Sequence, residues 1–565
     1  MLSARRILRL STVGIRAFSY GRSQFASGKW LDRPPTLLQA GQAIHESRPH
    51  MLKAGELTPG ITATEYFGRR MKLADRMHPW SCAIIVGAEL KYASGPVFYP
   101  FQQDNNLFYL TGWLEPDTIM VLEKPTADPS DVILHMFVPR RDALVEAWDG
   151  PRSGPDGARE IFNADESMEI NKAREGLTHI LKRCDSVYYD YPTTKSSMSS
   201  GFNDVFGVSV PRAHEAVRSM IGSFAVSVNR LSPLTTALRC IKSPAEIDVM
   251  RKAGRISGRA YNQAYAQRFR TERTLQAHLE YNFIAGGCDK RAYVPVVGAG
   301  KNALYIHYTK NDDVMYDDEL VLVDAAGSLG GYCADISRTW PVSGKFSGPQ
   351  KDLYEVVLAV QRKCISLCSA NLGYSIHDIH EKSVAFMREE LSNLGLSGAH
   401  FWDVNKIYPH YIGHNLGLDV HDVPGACKSS PLQEGQVITI EPGIYIPDEP
   451  EFPAYFRNIG IRIEDNIAVE KDTYRNLTVE AAKEIVDIES IAQNGVSTKM
   501  GETLSPTRRL ISRIPLDSKK HINALFIHSH LPQGVLLHIL HLRFAHVIRK
   551  HPYLETYSEA PLTAP

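Results

Sequence analysis

Leu320-Val321-Leu322-Val323-Asp324 is an apolar run closed by a carboxylate, and eleven residues on, past the glycine-containing stretch Ala325 to Gly331, stands Asp335. Two antiparallel strands joined by that turn bring both carboxylates to one end of a hairpin. The same pattern recurs downstream. Val437-Ile438-Thr439-Ile440 ends at Glu441 and is stopped by Pro442-Gly443. In a third run Ile459, Ile461 and Ile463 face one side while Gly460, Arg462 and Glu464 face the other. Four carboxylates delivered on strand ends repel one another strongly unless cations neutralise them. Two divalent metal ions account for the set, and His414 stands between Asp335 and Glu441 as a nitrogen donor.

The run His410-Tyr-Ile-Gly-His414-Asn-Leu-Gly417-Leu-Asp-Val-His421-Asp422 fits, position by position, the histidine signature of the aminopeptidase P and prolidase family, the pita-bread metallopeptidases. Val323-Asp324, Ala334-Asp335-Ile-Ser-Arg-Thr, Ile440-Glu441-Pro-Gly and Gly460-Ile-Arg-Ile-Glu464-Asp resemble the same family. The resemblance covers the chain from near residue 240 to near residue 490 with no ligand missing, which argues against a non-catalytic binding protein of this fold. It implies an α/β (α+β) architecture, with a creatinase-like N-terminal domain followed by a pita-bread metallopeptidase domain.

The resemblance also implies roles. Asp335 and Glu464 would bridge the two metals, Asp324 would hold one, and His414 and Glu441 the other. A set dominated by oxygen donors suits hard cations such as Mn²⁺ better than a structural zinc. His307, in Ala303-Leu-Tyr-Ile-His307-Tyr-Thr, and His421 match positions flanking the scissile bond, where transition-state hydrogen bonding and substrate positioning are needed. Glu441 would also carry a proton from water to the leaving amine, and His410 and Arg462 would line the substrate site. Because two adjacent cations make water acidic enough to attack near neutral pH, no Ser or Cys nucleophile is required. None sits in a recognisable setting.

The implied substrates are peptide or protein N-termini, shortened one residue at a time. Two specificities stay open: removal of a residue ahead of proline, or removal of Tyr, Phe or Leu from mitochondrial precursors already cut by the processing protease. Prolidase shares the site but takes dipeptides, and creatinase shares the fold without being a peptidase. Family members are often dimers or tetramers, so a homo-oligomer is expected, although no interface is legible.

Arg5, Arg6, Arg9, Arg16, Arg22 and Lys29 stand in the first 30 residues without a single Asp or Glu. Residues 1–30 therefore read as a mitochondrial transit peptide, which points to the matrix and leaves association with the inner membrane open. Within it, Arg16-Ala17-Phe18-Ser19 has the form of a matrix precursor site. Over the whole chain 63 basic residues balance 63 acidic ones. With a basic leader and a tail from about residue 494 holding nine basic and four acidic residues, the body between them is net acidic, which gives no footing for nucleic acid. Eight scattered cysteines read as reduced thiols. No apolar run approaches the length of a transmembrane segment.

Residues 35–225 read as the N-terminal domain, with a helix announced by Thr62-Ala-Thr-Glu65, a buried strand from Cys82 to Val86, and the aromatic run Phe101 to Trp113. Residues 226–243 read as a linker. Ser243-Pro244-Ala-Glu246 opens the catalytic domain, 244–492, with a capped helix. Residues 493–565, with seven of the 21 histidines and no motif, read as an extension without stable structure.

Overall fold

Ser81–Val86 carries no charge and is buried along its whole length as β1. It lies inside a six-stranded sheet with β2 (Ile119–Lys124), β3 (Ile133–Val138), β4 (Glu166–Glu169), β5 (Ser186–Tyr188) and β6 (Ser227–Asn229), in the order β6-β5-β1-β2-β3-β4. β1 runs antiparallel to β2 and parallel to β5. Its alternate residues serve opposite faces. Cys82, Ile84 and Val86 pack against the helices Ala173–Leu181 and Arg212–Ile221, while Ala83 and Ile85 join a second core with Tyr66, Leu73 and Trp113.

This computed structural model describes residues 40–192, 212–396 and 403–494. The expected transit peptide lies outside these residues, as does the expected C-terminal extension apart from residues 493 and 494, which finish a helix. One unit, Met1–Val496, holds everything described below.

Helix α1 (Ala63–Asp75) begins where Thr62 accepts the Glu65 amide. The Glu65 carboxylate does not turn back to complete the box; it takes Arg69 and the hydroxyl of Ser243 instead, at 2.8 and 2.7 Å. The aromatic run contains α2 (Asn105–Thr111), capped by Asp104. Residues 226–243, expected as the linker, carry β6 on the edge of the sheet and α3 (Ser232–Cys240), with Pro233 in its first turn, where a missing N–H costs nothing. Helix α4 (Pro244–Tyr265) starts with the complete capping box of Ser243 and Glu246.

Among the described residues the catalytic half carries four small antiparallel sheets, and three of them frame the expected ligands. β7 (Val296–Ala299), β8 (Leu320–Asp324) and β9 (Ser337–Pro341) form the first, with Asp324 opposite Ser337. β10 (Val437–Ile440), β13 (Asp465–Val469) and β14 (Tyr474–Asn476) form the second, and β11 (Gly443–Ile446) pairs with β12 (Ile459–Arg462). Helices α4, α5 (Gly348–Ile365) and α6 (Ile376–Asn393) close one continuous core around them. From α4 the Tyr261 hydroxyl donates to the carbonyls of Ala325 (3.0 Å) and Ile336 (2.6 Å) and accepts the Ala325 amide (3.1 Å), filling the gap where β8 and β9 diverge.

The two halves share a core. Tyr66, Phe108 and Tyr109 pack with Tyr332, Cys333, Leu416 and Leu418, and Arg69 reaches the Tyr332 hydroxyl at 3.1 Å. Behind the last ligand-bearing strand, Asp465 is fully buried and takes Arg338 (2.7 Å), Lys483 (2.6 Å), Gln361 (2.9 Å) and Thr478 (2.8 Å). Breaking a buried ion pair on one side strands its partners. Asp465→Asn should therefore lower the free energy of unfolding by about 3–5 kcal/mol, read from urea denaturation; a midpoint unchanged from wild type would show that the network holds nothing.

Candidate metal centre

Each expected ligand sits in backbone that its neighbours fix, the four carboxylates at or near strand ends and His414 in a loop. Asp324 closes β8 and Asp335 precedes β9, with its amide and carbonyl both engaged by the Asn466 side chain at 3.0 and 2.6 Å. The Glu441 amide donates to Ile412 (2.8 Å), and the Glu464 amide to Ser337 (3.0 Å). The His414 backbone is paired to Thr439 on both sides. Gly413 precedes it because a Cβ there would lie 2.0 Å from the Thr439 carbonyl oxygen. The His414 Nδ1 lies 3.0 Å from the Asn415 carbonyl, which can only accept, so Nδ1 carries the proton and Nε2 is presented to the site.

Asp335, His414 and Glu464 bring donor atoms within 4.8 Å of one another. Nε2 of His414 lies 3.4 Å from Asp335 and 3.6 Å from Glu441. Asp324 is the outlying member: Tyr293 donates to one oxygen at 2.5 Å and Arg462 to the other at 2.7 Å.

Arg462, expected on the wall of the substrate site, is 2% exposed, and its donors are spent on Ser337 (2.9 Å), Tyr445 (2.7 Å) and Asp324. Tyr445 in turn lies 2.9 Å from Nε2 of His410, whose Nδ1 donates to the Tyr411 carbonyl. A chain of contacts thus runs Asp324, Arg462, Tyr445, His410. Burial, then the Arg462 charge, lowers the His410 pKa to about 3, so the imidazole is neutral and accepts from the tyrosine. His421 is exposed, with its ring centred 4.3 Å from that of His414. Partial burial, with His414 and His307 near, lowers it to about 4. His307 is exposed beyond the short helix Gly300–Leu304.

Tyr445, Tyr293, Ser337 and Asn466 were not singled out from the sequence. A signal existed for Tyr445: Gly443 pairs with Arg462 across β11 and β12, and a Cβ on it would come within 2.9 Å of Tyr445 and His410. A glycine opposite a buried arginine marks a close approach.

With no cation among them the carboxylates cannot all ionise. Burial raises Glu441 to about 7 and raises Asp335 and Glu464 as well, with the neighbouring carboxylates adding to each. His414 is raised too: burial opposes its charge, but Asp335 and Glu441 lift it to about 9. One oxygen of Glu464 accepts from Ser337 at 2.7 Å, and the other is buried with no hydrogen-bond partner. An orphaned carboxylate oxygen beside three further carboxylates and one imidazole fits divalent cations, which replace the protons and satisfy the oxygen.

Since the ligands bind metal deprotonated, loading Mn²⁺ into the metal-free protein should release protons, and the apparent affinity should tighten between pH 6.5 and 8.5. Calorimetry in two buffers of different ionisation enthalpy measures both; an affinity independent of pH would contradict the charge state assigned to the cluster.

Residues 248–471 match Metallopeptidase family M24, and residues 66–188 match Aminopeptidase P, N-terminal domain. Intermediate cleaving peptidase 55 of Saccharomyces cerevisiae is 57% identical over 479 residues, 85% of this chain and 94% of the yeast protein. Xaa-Pro aminopeptidase 3 of Mus musculus is 37% identical over 469 residues, 80% of this chain and 90% of the mouse protein. The crystal structure of Icp55 from S. cerevisiae with its N-terminal 58 residues deleted aligns at a TM-score of 0.73 and 56% identity, covering 78% of this chain and 100% of that one. The chain belongs to metallopeptidase family M24 and is a metallo-aminopeptidase of the aminopeptidase P type, its pita-bread domain preceded by an aminopeptidase P N-terminal domain.

Proposed function

We propose that Asp324, Asp335, His414, Glu441 and Glu464 hold two divalent cations, with Asp335 and Glu464 bridging, and that Mn²⁺ is the metal used. The orphaned Glu464 oxygen beside Asp335 and His414 carries this assignment. When bound, the metals supply Lewis acidity toward the scissile carbonyl and make an attacking water acidic. The rest falls to side chains. Glu441, partly open to the site, takes the proton from water and delivers it to the leaving amine. His421 and His307 donate to the oxygen on which charge develops. Neutral His410 orients substrate from the wall it shares with Tyr445, and Arg462 holds the Asp324 carboxylate in place.

The substrate is a polypeptide N-terminus that has already lost its import signal, and one residue, Tyr, Phe or Leu, is removed. Likeness to an intermediate cleaving peptidase over both domains supports this choice. So does the arginine-rich, acid-free stretch of residues 1–30, which reads as a mitochondrial transit peptide. Likeness to an Xaa-Pro aminopeptidase favours a second reading, cleavage ahead of proline.

Mass spectrometry of mitochondrial protein N-termini with and without this enzyme separates the two. Precursors that keep a bulky first residue in its absence support the first reading, and accumulation of Xaa-Pro N-termini alone supports the second. Asp335→Ala should lose both activity and metal, more completely than Asp324→Ala, because a bridging ligand serves two ions; two metals and full turnover in Asp335→Ala would break the assignment. His421→Ala should keep its metal and slow by about 10²–10³-fold in kcat. Loss of metal from that variant would make His421 a ligand.

A further inference from the structure

The loop from Asn415 to Asp422 delivers His421 to the metal centre and is closed on itself: the Asp422 amide donates to Asn415 (2.9 Å) and the Gly417 amide to Asp419 (3.0 Å). Its other side is gripped by groups from far up the chain. Arg239, near the end of α3, donates to Asp422 (2.5 Å), Asp419 (2.6 Å) and Asn106 (2.8 Å). Lys242 takes the second oxygen of Asp422 at 3.0 Å, and Asn105 donates to Asp419 at 2.6 Å. Arg239, Lys242 and Asp422 are 7, 4 and 3% exposed, so this is a desolvated clamp and not a surface pair.

The clamp holds backbone that would otherwise relax. Val423, directly after Asp422, has φ +43° and is buried. A β-branched residue in the left-handed region is strained and persists only when its surroundings over-determine it. On the other flank, a Cβ on Gly417 would lie 2.4 Å from the Asp422 carboxylate, so the loop has closed as far as backbone allows. Neither Arg239 nor Lys242 bonds to any of the five expected ligands; both reach the site only by way of Asp422 and His421.

We propose that Arg239 is a positioning residue for bond cleavage: through Asp422 it fixes the His421 imidazole, so the segment joining the two domains sets the geometry of the reaction. This rests on the role given to His421 above. A guanidinium is suited to the task because its planar fork engages Asp422, Asp419 and Asn106 at once, which a lysine ammonium on a flexible stem cannot reproduce in one geometry.

The test is a double-mutant cycle on the metal-loaded full chain, with kcat, KM, metal content and melting temperature measured for Arg239→Lys, His421→Ala and the pair. Arg239→Lys should lower kcat about 10- to 100-fold, the order of effect expected when a reacting group is misplaced by about an ångström, with KM and metal content kept. In the His421→Ala background the same change should cost nothing further. An equal loss in both backgrounds, or loss of metal with Arg239→Lys, would overturn the proposal and make Arg239 a folding residue. Wild-type kcat in Arg239→Lys would overturn it too. Full activity in His421→Ala would instead overturn the role of His421 itself, and the proposal with it. Should Arg239→Lys fail to fold, Asn106→Ala, which removes only a neutral acceptor from the guanidinium, makes the same comparison.

Discussion

Four carboxylates crowded at the ends of strands are the constraint around which the catalytic half is arranged. Three of them, Asp335, Glu441 and Glu464, are costly to ionise where they lie, as their upward shifts show. The fold offsets part of that cost with fixed charge. Arg462 is buried against Asp324, and the raised His414 sits between Asp335 and Glu441. The remainder is left to cations, and a buried oxygen of Glu464 has no other partner. Sheet pairing does the placing: Asp324 lies opposite Ser337, and Ser337 donates to Glu464, so two sheets meet through one serine.

The four carboxylates proposed as ligands are legible in the sequence because each closes an apolar run or stands near one, and strand ends are where a short β-rich domain turns polar. The expected hairpin from Asp324 to Asp335 is the pairing of β8 with β9. Tyr445 and Tyr293 were not legible, since what makes them part of the site is contact across 17 residues to Arg462 and 31 to Asp324, and nothing local distinguishes them from core tyrosines. Arg462 could be placed on the face it shares with Glu464, but its direction is decided by partners on two other strands. The strand and helix within 226–243 are not legible for another reason: β6 is three residues long and largely exposed, too short to show a period, and Pro233 reads as a loop signal although it serves as a helix start.

The N-terminal domain lies against the catalytic machinery through side chains, not only through apolar area. Phe108 lies against Gly331, where a Cβ would come within 2.7 Å of its ring, and Arg69 and Glu246 together hold the Tyr332 hydroxyl three residues ahead of Asp335. The aromatic run of the N-terminal domain thus packs on the turn of the ligand-bearing hairpin. Core burial and domain contact are the same interaction there, and composition alone shows only the first.

Helix α4 has a consequence for rigidity. Its capping serine is bonded to Glu65 of the N-terminal domain, the residue before that serine is Lys242 of the Asp422 clamp, and Tyr261 near its far end plugs the fork of the Asp324 hairpin. About 27 Å of helix therefore separates the two anchorages, and an α-helix of that length resists stretching far better than any loop. The helix acts as a strut of fixed length between the frame that carries the histidine loop and the frame that carries the carboxylates. A load on either domain turns both frames as one body, and the spacing between them survives motion of the whole.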